Sequence, residues 1–254
     1  MFLQFDLSRM IIGSHDSCAN QSRDPCLCLC WKWAKTQNMT LEEQFNLGVR
    51  LFDLRYHMDH DVFYMSHTFS TSYTVQDALT ELIGCATRAR QYIYIRMKRD
   101  SSSVPLPTFG SFLEPIIAHC AIEYTGQDIY DIIGRQPNDA RCIVLYSDDS
   151  SMRDDQVSSR WIFSQIFDTI ETWDCGHADE AVERIRLKQF RNNGLPKAIF
   201  LDFSSVYPPE LAFDCVWDRS KDMIADYIVH KEIDCIMINS VQSDIMGFIR
   251  VLSA

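Results

Sequence analysis

The sequence predicts an α/β fold built as a closed, eight-stranded parallel barrel of the (β/α)8 TIM type. Two observations carry the prediction: eight short apolar runs, several rich in Ile, Val, Phe and Tyr, and helical or irregular segments between them. Runs of this composition are typical of buried strands. Because strands that alternate with helices over 254 residues favour a parallel sheet, eight of them suggest a closed barrel.

The predicted strands are short and predominantly apolar. They cover residues 9–12, 49–54, 62–65, 92–97, 142–146, 161–167, 198–203 and 235–238. The sixth of these runs is also compatible with a helix. Since no long linker and no internal repeat divides the sequence, we expect one domain over residues 1–254.

Capping residues predict where the first helices begin. Thr40 is followed three residues later by Glu43, which makes a capping box. Thr74 precedes a second segment whose apolar residues recur at helical spacing. Further helices are expected over 178–190 and over 209–213 or 219–229.

The composition limits the partners of the protein. A formal net charge of -11 excludes nucleic acid as a partner, because nucleic-acid binding requires clustered cations. The sequence shows no basic leader and no apolar run of membrane-spanning length, so we expect a cytoplasmic protein that is at most peripheral on membranes. The every-second spacing of Cys26, Cys28 and Cys30 differs from zinc signatures and indicates reduced thiols.

Three clusters of polar residues follow the first three predicted strands. They are His15 with Asp16 after the first strand, Asp53 with Arg55 at the end of the second, and His67 at the end of the third. Alternation along a strand places Asp53 and Arg55 on one face. In barrels of this type catalytic groups gather where the strands end. We therefore expect these five side chains to lie together.

This set of side chains is suited to the cleavage of a phosphodiester. One imidazole can remove a proton from the attacking hydroxyl while the other protonates the leaving oxygen. A guanidinium can bind the non-bridging phosphate oxygens and stabilise charge in the transition state. A single histidine at a strand end is more often structural, and an Asp-x-Arg pair is usually a salt bridge. Their joint occurrence at successive strand ends favours the catalytic interpretation.

Sequence motifs between about residues 10 and 100 resemble the opening half of the catalytic X domain of phosphatidylinositol-specific phospholipases C. They are, in order, IIGSHDS, KTQNMTLEEQFNLGVRLFDLRY, VFYMSHTF and YIYIRMKRD. The resemblance is thinner beyond residue 140, through DARCIVLYS, PKAIFLDFSS and DCIMINS. It implies a distorted barrel of the kind shared by PLC-like phosphodiesterases, and a phosphoric diester hydrolase or lyase of lipid metabolism.

The resemblance also implies a role for each residue of the predicted site. By this resemblance His15 is the general base on the inositol 2-hydroxyl. His67, assisted by Asp16, is the general acid toward the diacylglycerol oxygen. Arg55 binds the phosphate, and Asp53 orients the cluster. The implied reaction first gives a 1,2-cyclic inositol phosphate, and slower hydrolysis then opens its ring.

The residues beside the first histidine bear on metal use. Calcium needs several oxygen ligands, and the calcium-dependent relatives carry Asn after that histidine and acidic residues at both ends of the second-strand triplet. Here Asp16 and Arg55 occupy two of these places, so that a guanidinium replaces the metal. The resemblance is therefore to the bacterial, metal-independent type, and no metal or other cofactor is predicted.

Residues later in the chain are expected to contact the substrate. Lys98 and Asp100 lie at the end of the fourth predicted strand, level with the catalytic cluster. By the same resemblance, Glu171 and Trp173 match an acid and an aromatic side chain that contacts the sugar ring. The alternative for Trp173 is a tryptophan that packs in the core. Asn239 follows the last strand.

Two departures from the family leave the substrate open. Asn239 stands where the family carries an aspartate that supports the base histidine, so a lower rate or a different partner is expected. Asp148 stands where bacterial relatives carry an inositol-binding arginine. The alternatives are a phosphodiesterase for another headgroup or a soluble phosphodiester, and a catalytically weakened X domain that binds lipid or protein.

The segment 25–33 is the predicted membrane contact. Its Leu, Cys and Trp residues with a single Lys suit insertion at an interface, where these enzymes carry a short rim helix. Trp31 and Trp33 are therefore expected to touch membrane, with packing on the barrel as the alternative. The predicted partner is a phospholipid, phosphatidylinositol or a related headgroup, at a peripheral membrane surface. The oligomeric state is left open.

Overall fold

The structure is a computed structural model. It covers residues 10–20, 35–67, 69–100, 106–122, 141–147, 160–162, 167–172, 175, 177–187, 190–191, 194–201, 209–238 and 247. Trp31, Trp33, Asp148, Trp173 and Asn239, which the sequence analysis singled out, lie outside the described residues.

The described strands form one sheet. In chain order they are β1 (Ile11–Ser14), β2 (Leu51–Asp59), β3 (Val62–His67), β4 (Phe69–Thr74), β5 (Ile93–Arg99), β6 (Ile143–Ser147), β7 (Arg160–Ile162), β8 (Asp168–Glu171), β9 (Lys197–Leu201) and β10 (Cys235–Ile238). Eight of them pair in parallel in the order β7-β6-β5-β2-β1-β10-β9-β8. The predicted distorted (β/α)8 barrel is confirmed, whereas the single domain over residues 1–254 stays a prediction.

The third predicted strand is a correction, because β3 is not a barrel strand. It runs antiparallel to the end of β2 and antiparallel to β4. Only His60 and Asp61 separate β2 from β3, and both have positive φ, 48° and 63°. A two-residue turn of this kind joins antiparallel strands and is far too short for a parallel crossover. The barrel therefore carries a hairpin at the end of β2.

The sixth predicted strand, 161–167, is confirmed at its start only. Strand β7 covers Arg160–Ile162, residues 163–166 lie outside the described residues, and a further barrel strand, β8, begins just after the predicted run ends. In β8 buried and half-buried residues alternate, beginning with the buried Asp168, so its sequence contains no continuous apolar run. The structure describes eight barrel strands, the number predicted. They differ from the predicted set because β3 is outside the barrel and both β7 and β8 belong to it.

Five helices are described: α1 (Leu41–Asn46), α2 (Val75–Ala89), α3 (Leu106–Ile117), α4 (Ala178–Leu187) and α5 (Pro209–Val229). Both predicted caps are present: Thr40 and Glu43 form a reciprocal capping box, and the Thr74 hydroxyl accepts from the Asp77 N–H. The two segments expected near the C-terminus are a single helix, α5. Among the described helices, none is long and apolar enough to cross a membrane.

Two clusters of buried apolar side chains hold the barrel together. The larger one packs the helices on the outside of the sheet. The smaller one alternates with it along the strands, and this places it inside the barrel; it includes Ile11, Leu51, Tyr94, Ala198 and Cys235. Two residues further along four of these strands lie Asp53, Arg96, Phe200 and Met237. Asp53 and Arg96 therefore lie in the next layer above the apolar side chains inside the barrel, toward the C-terminal ends of the strands.

Gly13 marks the tightest approach between β1 and β2. A Cβ atom at this position would lie 2.9 Å from Leu51 Cδ2 and 3.1 Å from Leu51 Cβ, and Leu51 is fully buried. We expect Gly13→Ala to lower the free energy of unfolding by about 1–3 kcal/mol through overpacking, measured by urea denaturation.

Gly84→Ala is the matched control for this substitution. Its Cβ would meet only the flexible end of Arg88, at 3.2 Å, within helix α2. An alanine in a helix should raise the free energy of unfolding by about 0.5–1 kcal/mol. Equal effects of the two substitutions would contradict the close packing of β1 on β2.

Candidate active site

The site begins at the turn that follows β1. His15 and Asp16 are both buried, and Asp16 has φ 43°, in the left-handed region that Asp tolerates better than most residues. Backbone bonds fix the turn: Ser17 N donates to Asp53 O at 2.8 Å, and Ala19 N donates to Asp16 O at 2.8 Å. The turn is thereby tied to β2, which carries the next two site residues.

The segment that precedes α1 supports the same turn. The buried amide of Gln37 donates to the His15 carbonyl at 2.6 Å, and the Thr36 hydroxyl donates to the Asp16 carbonyl at 3.1 Å. Gln37 also lies 3.5 Å from the carbonyl of Ile238, at the end of β10. Thr36 and Gln37 therefore hold the backbone of Asp16 and His15 in place through hydrogen bonds.

The Asp16 carboxylate lies at the centre of the site. Its Oδ2 is 2.9 Å from His15 Nε2 and 3.2 Å from His67 Nε2, and its Oδ1 is 2.5 Å from Arg55 Nε. Both carboxylate oxygens are completely buried. Asp16 thus contacts both imidazoles and the guanidinium, which the sequence predicted to lie together.

His67 reaches this carboxylate from the hairpin. Its ring centroid lies 6.5 Å from that of His15, with the two planes at 79°. Strand β3 runs back along β2 from Asp59, which pairs with Val62, to Tyr56, which pairs with Met65. Two further residues return the chain to the level of the site. The hairpin thus places the second imidazole where a barrel strand was expected to place it.

The Asp53 carboxylate contacts the other side of the His15 ring. Its Oδ2 lies 2.8 Å from His15 Nδ1 and 3.8 Å from Arg55 Nε, and its Oδ1 lies 3.7 Å from Arg96 Nε. A carboxylate on β2 therefore faces Nδ1 of His15.

Burial and charge act in opposite directions on the two acids. Burial disfavours the charged form of each carboxyl and by itself would raise its pKa. At Asp16 the two imidazoles and Arg55 outweigh burial, and the pKa is lowered. At Asp53 the pKa is likewise lowered, by Arg96, the His15 imidazole and Arg55. Both acids are therefore carboxylates at neutral pH.

An open cavity with about 220 Å³ of empty space adjoins the cluster. The described residues that line it are His15, Arg55, Arg96, Lys98, Glu171, Phe200 and Met237. Three of these side chains are cations and one is an acid, so the described lining is suited to an anion even though the chain carries a formal charge of -11. Lys98 and Glu171 line the cavity, and their contact with substrate stays a prediction.

Asp100 follows the strand β5, as predicted, and contacts the hairpin. It accepts a hydrogen bond from the Ser66 hydroxyl at 2.8 Å, and its N–H donates to Tyr56 O at 2.9 Å. The described residues that line the cavity do not include it. In this structure Asp100 holds β3 next to His67, and its contact with substrate stays a prediction.

Arg96 belongs to the cations that the sequence places at the end of the fourth predicted strand, but the sequence alone assigns it no role of its own. It is 4% exposed, its Nη2 donates to Glu171 Oε1 at 3.3 Å, and its guanidinium lies 5.3 Å from the centre of the Phe200 ring. Alternation along the strand places Arg96 on the same face as Lys98, which indicates that it faces the site. Its contact with Asp53, however, follows only from the register that pairs the two residues.

Three of the site residues have the spacing of a cation site. Among the described residues, ligand atoms of His15, Asp16 and Asp53 lie within 4.8 Å of one another. The Arg55 guanidinium already lies against both acids, and a second positive charge in the same position would be repelled. The arrangement fits the sequence argument that Arg55 replaces a metal.

No family model matches the chain. A curated protein, PI-PLC X domain-containing protein 1 of Danio rerio, is 41% identical to it over 63 residues, which are 23% of this chain and about a fifth, 19%, of that protein. The phosphatidylinositol-specific phospholipase C of Listeria monocytogenes has a TM-score of 0.72 at 14% identity, over 99% of this chain and 96% of its own. The enzyme of the same name from S. aureus scores 0.64 at 18% identity, over 98% and 95%.

The chain has the barrel fold of the phosphatidylinositol-specific phospholipases C. The solved structures establish the fold, and the 63-residue match to the curated protein, at 41% identity, bears out the sequence resemblance to the X domain. The Listeria and S. aureus structures match nearly the whole chain, so the resemblance in fold extends beyond the first hundred residues, where the sequence motifs are clearest.

The lowered pKa values of Asp16 and Asp53 predict how stability depends on pH. A carboxyl whose pKa is lower in the folded state stabilises the fold above its unfolded pKa, about 3.9, and this contribution is lost as the pH falls toward the folded pKa. We expect the urea unfolding free energy to fall steeply below about pH 4. Asp53→Asn should make this fall shallower.

Asp61→Asn removes an exposed acid from the turn between β2 and β3 and is the control for the loss of one carboxyl. It should alter the slope less than Asp53→Asn does. An identical slope in wild type and Asp53→Asn would contradict the ionised, buried carboxylate of Asp53.

Proposed function

We propose that this protein is a phosphoric diester hydrolase and lyase of the phosphatidylinositol-specific phospholipase C type. It cleaves the headgroup phosphodiester of a phospholipid by general acid–base catalysis. The observation that carries the proposal is the contact of His15 and His67 with the same oxygen of Asp16, next to Arg55. The proposed base, His15, and the phosphate-binding Arg55 line a cavity that suits an anion, and the proposed acid, His67, contacts the same carboxylate as they do.

In the first step the substrate's own hydroxyl attacks its phosphorus. His15 takes the proton of the inositol 2-hydroxyl, and the oxygen forms a new bond to phosphorus. His67 donates a proton to the leaving diacylglycerol oxygen as its bond to phosphorus breaks. Arg55 neutralises the non-bridging oxygens. The products are diacylglycerol and a 1,2-cyclic inositol phosphate.

In the second step the two imidazoles exchange roles. His67 has lost its proton and acts as base toward water, while protonated His15 returns a proton to the ring oxygen. The cyclic phosphate opens to the inositol monophosphate. The shared Asp16 oxygen supports this exchange, because it contacts both imidazoles at 2.9 and 3.2 Å and stabilises whichever one is charged.

The reaction requires no metal in this proposal. A divalent cation would bind the attacking and phosphate oxygens, and Arg55 supplies that positive charge beside His15, with its Nη2 3.2 Å from Nε2. Arg96 and Lys98 add charge in the same cavity. Lys98 and Glu171 are the proposed headgroup contacts, together with Asp100, Trp173 and Asn239 from the sequence analysis.

The proposed setting is the cytoplasmic surface of a membrane. The six cysteines that the structure describes are all buried and unbridged, which supports a reducing compartment. The contact with phospholipid is proposed to involve Trp31 and Trp33 of the segment 25–33. Both the single domain and the phospholipid partner remain part of this proposal.

The direct test is turnover of phosphatidylinositol in the presence of excess chelator. Purified protein incubated with phosphatidylinositol vesicles should release diacylglycerol and cyclic inositol phosphate, measured by chromatography. Activity that disappears with chelator would contradict the role of Arg55 in place of a metal. Turnover of another phosphodiester alone would retain the chemistry and change the substrate.

Histidine variants test the assignment of acid and base. His15→Ala and His67→Ala should each lower kcat/KM by about 10²–10⁴-fold, because each removes a proton-transfer group. His60→Ala is the matched control, since His60 is almost fully exposed in the turn between β2 and β3. If neither wild type nor His15→Ala turns over any phospholipid while both bind vesicles, the protein is a binding module.

A further inference from the structure

Arg96 joins four strands of the barrel beneath the site. It extends from β5, and its guanidinium contacts the Asp53 carboxylate on β2 at 3.7 Å. On its other side it donates to Glu171 at the end of β8, and it lies over the ring of Phe200 on β9. With 4% of its surface exposed, it is more deeply buried than Arg55. Neither step of the proposed reaction uses it.

The two oxygens of Asp53 have different neighbours. Oδ1 faces Arg96 Nε, whereas Oδ2 faces His15 Nδ1 at 2.8 Å and accepts from the Asp16 N–H at 3.4 Å. A carboxylate can rotate about its last bond over a broad range of angles. A cation at Oδ1 restrains this rotation and holds Oδ2 toward the imidazole.

We propose that Arg96 is a positioning residue, which fixes the Asp53 carboxylate so that His15 carries its proton on Nδ1. Nε2 is then left with a lone pair on the cavity side of the ring. This inference deepens the proposed function, and its importance for turnover rests on that function. The position of the proton itself is a property of the resting protein.

The competing arrangement places the proton on Nε2. Asp16 Oδ2 lies 2.9 Å from that nitrogen and favours it. Asp16, however, is also contacted by Arg55 and by His67. The Arg55 Nη2 lies 3.2 Å from His15 Nε2, and a guanidinium can only donate. A lone pair on Nε2 accepts from this donor, and the proton then stays on Nδ1, which lies 2.8 Å from Asp53 Oδ2.

Glu171 also contacts Arg96, since its Oε1 accepts from Arg96 Nη2 at 3.3 Å. Arg184 fixes the backbone at this point, because its Nη1 donates to the Glu171 backbone carbonyl at 3.0 Å. The Arg96 guanidinium also lies 5.3 Å from the centre of the Phe200 ring. Arg96 is thus fixed in place, and only a fixed cation can select one orientation of Asp53.

The experiment is a long-range ¹H–¹⁵N NMR spectrum of the uniformly ¹⁵N-labelled full chain, recorded where His15 is neutral. Such a spectrum distinguishes the two neutral tautomers of each ring. The chain has seven histidines, and the His15 signals are those missing from His15→Ala. Wild type should show the Nδ1–H pattern. Arg96→Met should lose it and show a mixture of tautomers.

Arg88→Met is the matched control, because Arg88 is an exposed arginine on α2 that pairs with Glu42. It should keep the wild-type spectrum. In turnover assays Arg96→Met should lower kcat by a larger factor than it raises KM, since Arg96 acts chiefly on the base although its charge also lines the cavity. A loss confined to KM would show that Arg96 binds the headgroup, and would overturn the proposal.

Two further outcomes overturn the proposal. One is an Nε2–H pattern for His15 in wild type, whatever the variants do. The other is an unchanged Nδ1–H pattern in folded Arg96→Met. If that variant does not fold, Arg96→Lys keeps the charge, but its single ammonium cannot contact Asp53 and Glu171 with the same planar fork. It should show a partial loss of the pattern, and an unchanged spectrum would again overturn the proposal.

A lost tautomer preference in a protein without phosphodiesterase activity has a separate meaning. It would support Arg96 as a positioning residue and count against the proposed function. Activity on phosphatidylinositol with an unchanged tautomer in Arg96→Met would support the proposed function and overturn the role of Arg96. The two proposals are therefore separable by the same set of variants.

Discussion

The buried carboxylate of Asp16 is the interaction on which the rest of the site depends. A charge without access to water must be paired, and this one contacts two imidazoles and a guanidinium. Each partner comes from a different part of the fold: His15 from the same turn, Arg55 from β2 and His67 from the hairpin. The left-handed backbone of Asp16 and the amide of Gln37 hold the turn that presents the carboxylate.

The charged side chains that line the cavity are mostly positive, whereas the net charge of the chain is negative. The chain carries a formal charge of -11, yet the described residues that line one cavity include three cations, Arg55, Arg96 and Lys98, and one acid, Glu171. The two buried aspartates stay ionised because Arg55, Arg96 and the imidazoles of His15 and His67 lower their pKa values. The aspartates in turn hold the imidazoles in place. A phosphodiester would add its charge at the open side of this network, where the cations are exposed to the cavity.

The sequence predicted the parts of the site that depend on local periodicity. Alternation placed Asp53 and Arg55 on one face, and the caps at Thr40 and Thr74 follow from local hydrogen bonds. The hairpin was not predictable in the same way, because an apolar run has the same pattern in a parallel and an antiparallel strand. Nor was the role of Arg96, since it follows from the register between β2 and β5, a contact between residues far apart in sequence.

The central claim is that two imidazoles sharing one carboxylate are the base and the acid of one reaction. The pH dependence of kcat/KM on phosphatidylinositol, measured in excess chelator, tests it most directly. The account predicts a bell, with an acidic limb from the base His15 and an alkaline limb from the acid His67. The residual activity of His67→Ala should lack the alkaline limb. A flat profile in the wild type, or an alkaline limb that persists in His67→Ala, would contradict the account.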